Sequence, residues 1–147
     1  YFYPAMTFQF HQNTSVENMI ISGLVDSVGL YTLPTDMQKN TAKLWMQILG
    51  PSFFGKNFNQ LSSGQQRILL VVRAMVKQPP LLILDEPIVD LDDNNAQLFI
   101  DLISAVATQH KVAIIYVSHR SEHLLTPDKI FELVPTPEGS VGKIIER

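Results

Sequence analysis

Residues 61–92 read LSSGQQRILLVVRAMVKQPPLLILDEPIVDLD, and the rest of the chain takes its meaning from this stretch. Ser62 and Ser63 are good helix N-caps, and Gly64 lets the backbone come close to a ligand. An apolar, helix-compatible run follows from Gln65 to Lys77 and stops at Pro79-Pro80. The unpaired N–H groups and the dipole of such a helix favour an anion at its first turn. Helix capping alone accounts for the same turn. Beyond the prolines, Leu81, Leu82, Ile83 and Leu84 form a short continuous apolar run, the pattern of a strand buried on both faces. Asp85 and Glu86 stand at its C-terminal end, where open α/β sheets bind ligands. Two neighbouring carboxylates can divide labour, one holding magnesium through water and the other accepting a proton from an attacking water. Two solvated loop acids are the plainer alternative. A phosphate-holding turn beside a metal-and-carboxylate pair suits the binding and cleavage of a nucleotide phosphate.

Downstream, Pro87 ends the strand, and the acidic run Asp90–Asp93 caps a helix expected over about 94–108, with Leu98, Phe99, Leu102, Ile103 and Val106 on one face. Val112–Val117 reads as a second buried strand, followed by Ser118-His119. If the two strands are neighbours, His119 lies beside Asp85 and Glu86. Lys129–Val134, the turn PTPEGS and Lys143–Glu146 read as a terminal hairpin. Upstream, Thr14–Glu17 fits a capping box for a helix over about 15–27, with Val16, Met19, Ile20, Leu24 and Val28 at helical spacing. Thr35-Asp36 opens a second helix through Leu44, Trp45, Ile48 and Leu49, ended by Gly50-Pro51.

The 147 residues are enough for one domain with a real core, and 46% of them are hydrophobic. A formal charge of −3 gives no electrostatic case for nucleic-acid binding. Cysteine is absent, which excludes disulfides and thiolate metal sites. His11, His110 and His123 fit no paired ligand spacing, so no structural zinc site is expected. No apolar run approaches membrane-span length, and YFYPAMTF at the start has no signal-peptide pattern. The chain does not begin with Met and reads as a piece of something longer.

The ordered set LSSGQ, LLILDEP, IVDLD and the histidine of YVSH resembles the C-terminal half of an ABC-type ATPase domain. The resemblance makes Leu61–Gln65 a signature motif, Leu81–Glu86 a Walker B strand, Ile88–Asp92 a D-loop and His119 a switch histidine. It implies an α/β fold: a mostly parallel sheet core of P-loop NTPase type with a helical subdomain, here a partial domain without its Walker A half. Residues 1–13 would be a strand end and Q-loop region, 14–78 the helical subdomain with the signature helix, and 79–147 part of the catalytic core. The cofactors implied are ATP and Mg²⁺. Glu86 would be the base, Asp85 would hold the metal through water, and His119 would bond the γ-phosphate. Ser62, Ser63, Gly64 and Gln65 would complete the site of a second ABC ATPase domain, and Asp92 would couple the two sites. A transmembrane permease would be a further partner. The location implied is the cytoplasm, peripheral at the inner membrane. The wording ENMIISGLVDSVGLY is similar to tandem-domain bacterial ATP-binding proteins linked with molybdate transport and photorepair.

The chain departs from the family pattern in three places. The Q-loop slot falls near Ala5, with Gln9 and Gln12 coming later. Ser63 replaces a usual glycine, which is tolerable where its φ is negative. Gly50–Asn57, GPSFFGKN, imitates a P-loop with Lys56 on the phosphates, but Asn57 replaces the magnesium-binding hydroxyl and the segment follows a helix rather than a strand. It is read as a connecting loop, so the chain has no Walker A and is expected to hydrolyse ATP poorly by itself. Three alternatives stay open: a DNA-clamp ATPase of SMC type, although long heptads are missing before the signature; a non-catalytic half that only completes a partner's site; and a cytosolic ABC ATPase that transports nothing.

Overall fold

Helix α1 (Val16–Leu24) begins where the chain is pinned on both sides of its cap. In this computed structural model the described residues are 13–26, 32–109, 112–119 and 125–145. Ser15 is the N-cap, accepting the Asn18 N–H at 3.2 Å, so the cap lies one residue after Thr14 and the expected Thr14–Glu17 box does not form. The reason is long-range. The Thr14 carbonyl accepts from Phe58 N–H at 2.9 Å, and Val16 N–H donates to the Lys56 carbonyl at 3.0 Å. These bonds, with the bridge between Ser15 and Asn57, hold Ser15 extended and start the helix after it. The helix also stops short of the expected Ser27.

Helix α2 (Asp36–Leu49) has the reciprocal box expected of a strong start: Thr35 Oγ1 accepts from Gln38 N–H, and Gln38 Oε1 from Thr35 N–H. Gly50 ends it at φ 88°. The segment Gly50–Asn57 is a connector, a 3₁₀ turn at Pro51–Phe53 and a left-handed Gly55, leading to a second 3₁₀ turn at Phe58–Gln60. It follows α2 and opens no α-helix, unlike a phosphate-binding loop.

Helix α3 (Ser63–Met75) is central. Ile68, Leu69, Val71, Val72 and Met75 are buried in one continuous core with Met19 and Ile20 of α1, Trp45 of α2, and Phe53 and Phe58 of the connector. The C-terminal ends of α1 and α3 touch. Arg73 Nε donates to Ser22 Oγ at 3.0 Å, and Lys77 pairs with Asp26. Burial pushes the Arg73 guanidinium pKa down, while the charge of Asp26 acts the other way.

Strand β1 (Leu81–Asp85) pairs in parallel with β2 (Ala113–Val117), Leu84 opposite Tyr116 and Asp85 opposite Val117. The connecting helix α4 (Asp93–Gln109) adds Phe99, Ile100, Leu102, Ile103 and Val106 to the core. This is the parallel α/β arrangement that the sequence implied. The expected two-sided burial of the strands is not observed. Leu82 and Leu84 are buried, but Leu81, Ile115 and Val117 are between 41% and 48% exposed. The apolar run supplies residues for two faces, and the described residues cover one.

Strands β3 (Ile130–Thr136) and β4 (Gly139–Ile145) form a separate antiparallel hairpin, longer at its first strand and tighter at its turn than the sequence implied. Among the described residues no helix is long and apolar enough to cross a membrane. The expected strand end at 1–3, the Q-loop positions Ala5, Gln9 and Gln12, His11, His110, His123, Ser27, Val28 and Glu146 lie outside the described residues.

Candidate functional site

The Ser62–Gln65 turn is a closed capping box. Ser62 Oγ accepts from Gln65 N–H at 3.2 Å, and Gln65 Oε1 accepts from Ser62 N–H at 3.1 Å. Ser63 is the first helical residue, exposed, and not among the residues of positive φ, so it meets the condition set for replacing glycine. Gly64 is buried. A Cβ on it would stand 3.0 Å from Asn95 Nδ2 and 3.1 Å from Leu91 Cδ2. Within the chain, the close approach that Gly64 permits is to Leu91 and to Asn95 at the start of α4.

The second part of the site lies at the C-terminal edge of the parallel strands. Asp85 is the last residue of β1 and is exposed. Glu86 turns sharply, at φ 45°. A left-handed backbone on a residue with a Cβ is uncommon, and its cost is of order 1 kcal/mol or more. Two hydrogen bonds hold it. Glu86 N–H donates to the Val117 carbonyl at 3.0 Å, and Glu86 Oε1 accepts from His119 N–H at 2.6 Å. The same carboxylate oxygen lies 3.8 Å from His119 Nε2. The imidazole is 91% exposed while the Glu86 side chain is 26% exposed, so the ring is open to a ligand and the carboxylate is sheltered. The parallel pairing of β1 with β2 thus brings together Glu86 and His119, residues 33 apart in sequence.

The loop after Glu86 is fastened to α3. Arg67 Nη1 donates to the Pro87 carbonyl at 3.2 Å and also to the Val89 carbonyl. The partners of Arg67 here are backbone oxygens of this loop. Asp90 sits at φ 63° where the loop turns back. Asp92 then caps α4, its Oδ1 accepting from Asn95 N–H at 3.0 Å and its Oδ2 from the Asn95 side-chain amide. The Asn95 backbone and side-chain bonds hold the Asp92 carboxyl below the usual carboxylate range. Asn95 was missed in the sequence. The spacing Asp92-x-x-Asn95, that of a helix cap and its third residue, was the signal available.

The description "ABC transporter" matches residues 3–89, more than half of the chain. The chain belongs to the ABC transporter family. The ATP-binding protein ModF of Escherichia coli K12, described as an ABC transporter ATP-binding protein, is 38% identical over 124 residues, covering 83% of this chain and 25% of that protein. An ATP-binding cassette of an ABC transporter, MJ1267, shares the fold with a TM-score of 0.61 at 18% identity, over 76% of this chain and 47% of its own. The bacterial ABC transporter cassette MJ0796, solved as a dimer, gives 0.55 at 18% identity, over 74% and 48%. The chain spans about a quarter of the length of ModF.

Proposed function

We propose that this chain is part of the ATP-binding and ATP-hydrolysing component of an ABC-type transporter. In this reading residues 14–78 form the helical subdomain and 79–147 part of the catalytic core. The observation that carries it is Glu86, sheltered at the end of a parallel strand, with its carboxylate on the His119 amide and the His119 imidazole 3.8 Å away. A carboxylate so placed accepts a proton from a water aimed at a γ-phosphate. Attack in line breaks the bond to the β-phosphate oxygen and releases ADP and inorganic phosphate. The exposed His119 ring donates to the γ-phosphate oxygens.

The donor set fits magnesium. Asp85 offers a hard carboxylate oxygen, and no cluster of three or more metal-binding side chains is present among the described residues. Mg²⁺ takes one or two carboxylates, with phosphate and water completing its shell, and when bound it neutralises charge on the β- and γ-oxygens. Ser62, Ser63, Gly64 and Gln65 present the N-terminus of α3, which favours the γ-phosphate of a nucleotide held by a second ABC ATPase domain. In the same reading Asp92 couples the two sites of the pair. The dimer of the similar cassette MJ0796 supports such pairing. A permease partner and a cytoplasmic place beside the inner membrane belong to the same reading. Molybdate or a related anion as cargo rests on the α1 wording, and the likeness to ModF supports the same relatives.

The test is Mg-ATP turnover by the full-length protein. Glu86→Gln is expected to keep ATP binding and to lose turnover by about 10²-fold or more, the scale of a general base. Lys56→Ala is expected to change neither. If Lys56→Ala abolishes binding and Glu86→Gln turns over normally, the GPSFFGKN segment is a true phosphate loop and the proposed site is wrong.

A further inference from the structure

We infer that Asn95 is a positioning residue that ties the signature turn to the D-loop carboxylate within one chain; the inference rests on the ATPase reading above. Asn95 has two engagements at once. Its backbone and side-chain N–H groups hold both oxygens of Asp92. Its side-chain amide also fills the space that a Cβ on Gly64 would enter, with Nδ2 at 3.0 Å and Cγ at 3.2 Å from that position. A displacement of the α3 N-terminus therefore moves Asn95, and Asn95 cannot move without shifting or releasing the Asp92 carboxylate.

A second contact makes the connection two-ended. Arg67, one turn along the same helix, holds the carbonyls of Pro87 and Val89, directly after Glu86. The loop 87–92 is thus fastened to α3 at its start through Arg67 and at its end through Gly64, Leu91 and Asn95. When the signature turn closes on a γ-phosphate, the aim of Asp92 and the loop beside Glu86 are set by the same rigid helix. Asn95 touches no nucleotide in this scheme; it acts through Asp92.

Asn95→Asp separates positioning from folding. An acid in the first turn of α4 suits the helix dipole, and the backbone cap from residue 95 to Asp92 remains. What changes is the side-chain contact, a hydrogen bond replaced by two carboxylates in apposition. In the full-length protein, kcat for ATP should fall about tenfold, the scale of a lost hydrogen bond to a charged group. The KM for ATP and the melting temperature should stay near those of the unaltered protein. Asn95→Ala, which keeps the backbone cap and removes only the side-chain link, should show a smaller fall in kcat with the same unchanged KM. Unaltered kcat in Asn95→Asp, beside an active parent and an inactive Glu86→Gln, overturns the role of Asn95 and leaves the ATPase reading standing. A kcat loss that only follows a lost folded fraction also overturns it. Absence of Glu86-dependent turnover in the parent overturns the ATPase reading, and this inference with it.

Discussion

Gly23 offers a sharp test of how α1 and α3 pack. A Cβ at this position would stand 2.3 Å from the Arg73 carbonyl oxygen and 2.9 Å from Arg73 Cγ. Carbon atoms in contact prefer about 3.5–4.0 Å, so Gly23→Ala forces the helices apart by roughly 1 Å. The obstacle is backbone, which cannot swing aside as a long side chain can. Overpacking of this kind costs typically about 1–3 kcal/mol, and the severity here belongs at the upper end. Alanine returns up to about 1 kcal/mol through helix propensity, less at Gly23 because α1 ends one residue later. The clash therefore wins by about 2 kcal/mol. With a urea dependence of about 2 kcal/mol per molar, the midpoint should fall by about 1 M at unchanged slope. Trp45, the single tryptophan, is buried in the same helical core and reports the transition by fluorescence. An unchanged or raised midpoint would mean that propensity dominates, and would refute a helix crossing this close.

Two further outcomes follow from the site. Asp92 has a depressed folded pKa, so its carboxylate stabilises the fold fully above the unfolded value of about 3.9 and loses that contribution as pH falls through the folded value. The stability gap between the parent and Asp92→Ala, from urea titrations, should be open at pH 7 and shrink on acidification below about pH 4. Arg67→Ala removes both hydrogen bonds to the loop carbonyls and should cost about 1–2 kcal/mol, discounted for the exposed Val89 end; faster proteolysis within 87–92 would show where the loss falls.

What the sequence could convey was local. The Ser62 cap, the helix start at Thr35-Asp36, the Pro79-Pro80 stop and the terminal hairpin depend on neighbours within a few residues, and the structure keeps them. The Thr14–Glu17 box failed because bonds with Lys56 and Phe58, forty or more residues on, decide which residue is extended. The strands disappointed for a related reason. A run of Leu and Ile says that apolar faces exist, and which of them is covered depends on elements elsewhere. Glu86 and His119 were foreseen as neighbours conditionally, and the β1–β2 register met the condition. The left-handed turn at Glu86, the carbonyl partners of Arg67 and the two engagements of Asn95 have no sequence signature of comparable strength, because each depends on a backbone placed by packing.

Helix α3 ties these observations into one experiment. Its 13 residues span about 20 Å, and its two ends do different work. At the C-terminal end Arg73 meets Ser22 and Gly23, a packing contact. At the N-terminal end Gly64 and Arg67 meet the loop that follows Glu86. Substitutions this far apart, sharing no partner, should add nearly independently. Gly23→Ala should lower stability while the folded fraction keeps its turnover, and Asn95→Asp should lower turnover while stability holds. If Gly23→Ala instead lowers kcat as strongly as Asn95→Asp at temperatures where both are folded, α3 does not act as a rigid bar with separable ends. The position of the signature turn would then be set by α1 as much as by the loop, and the connection assigned to Asn95 would be only one of several routes.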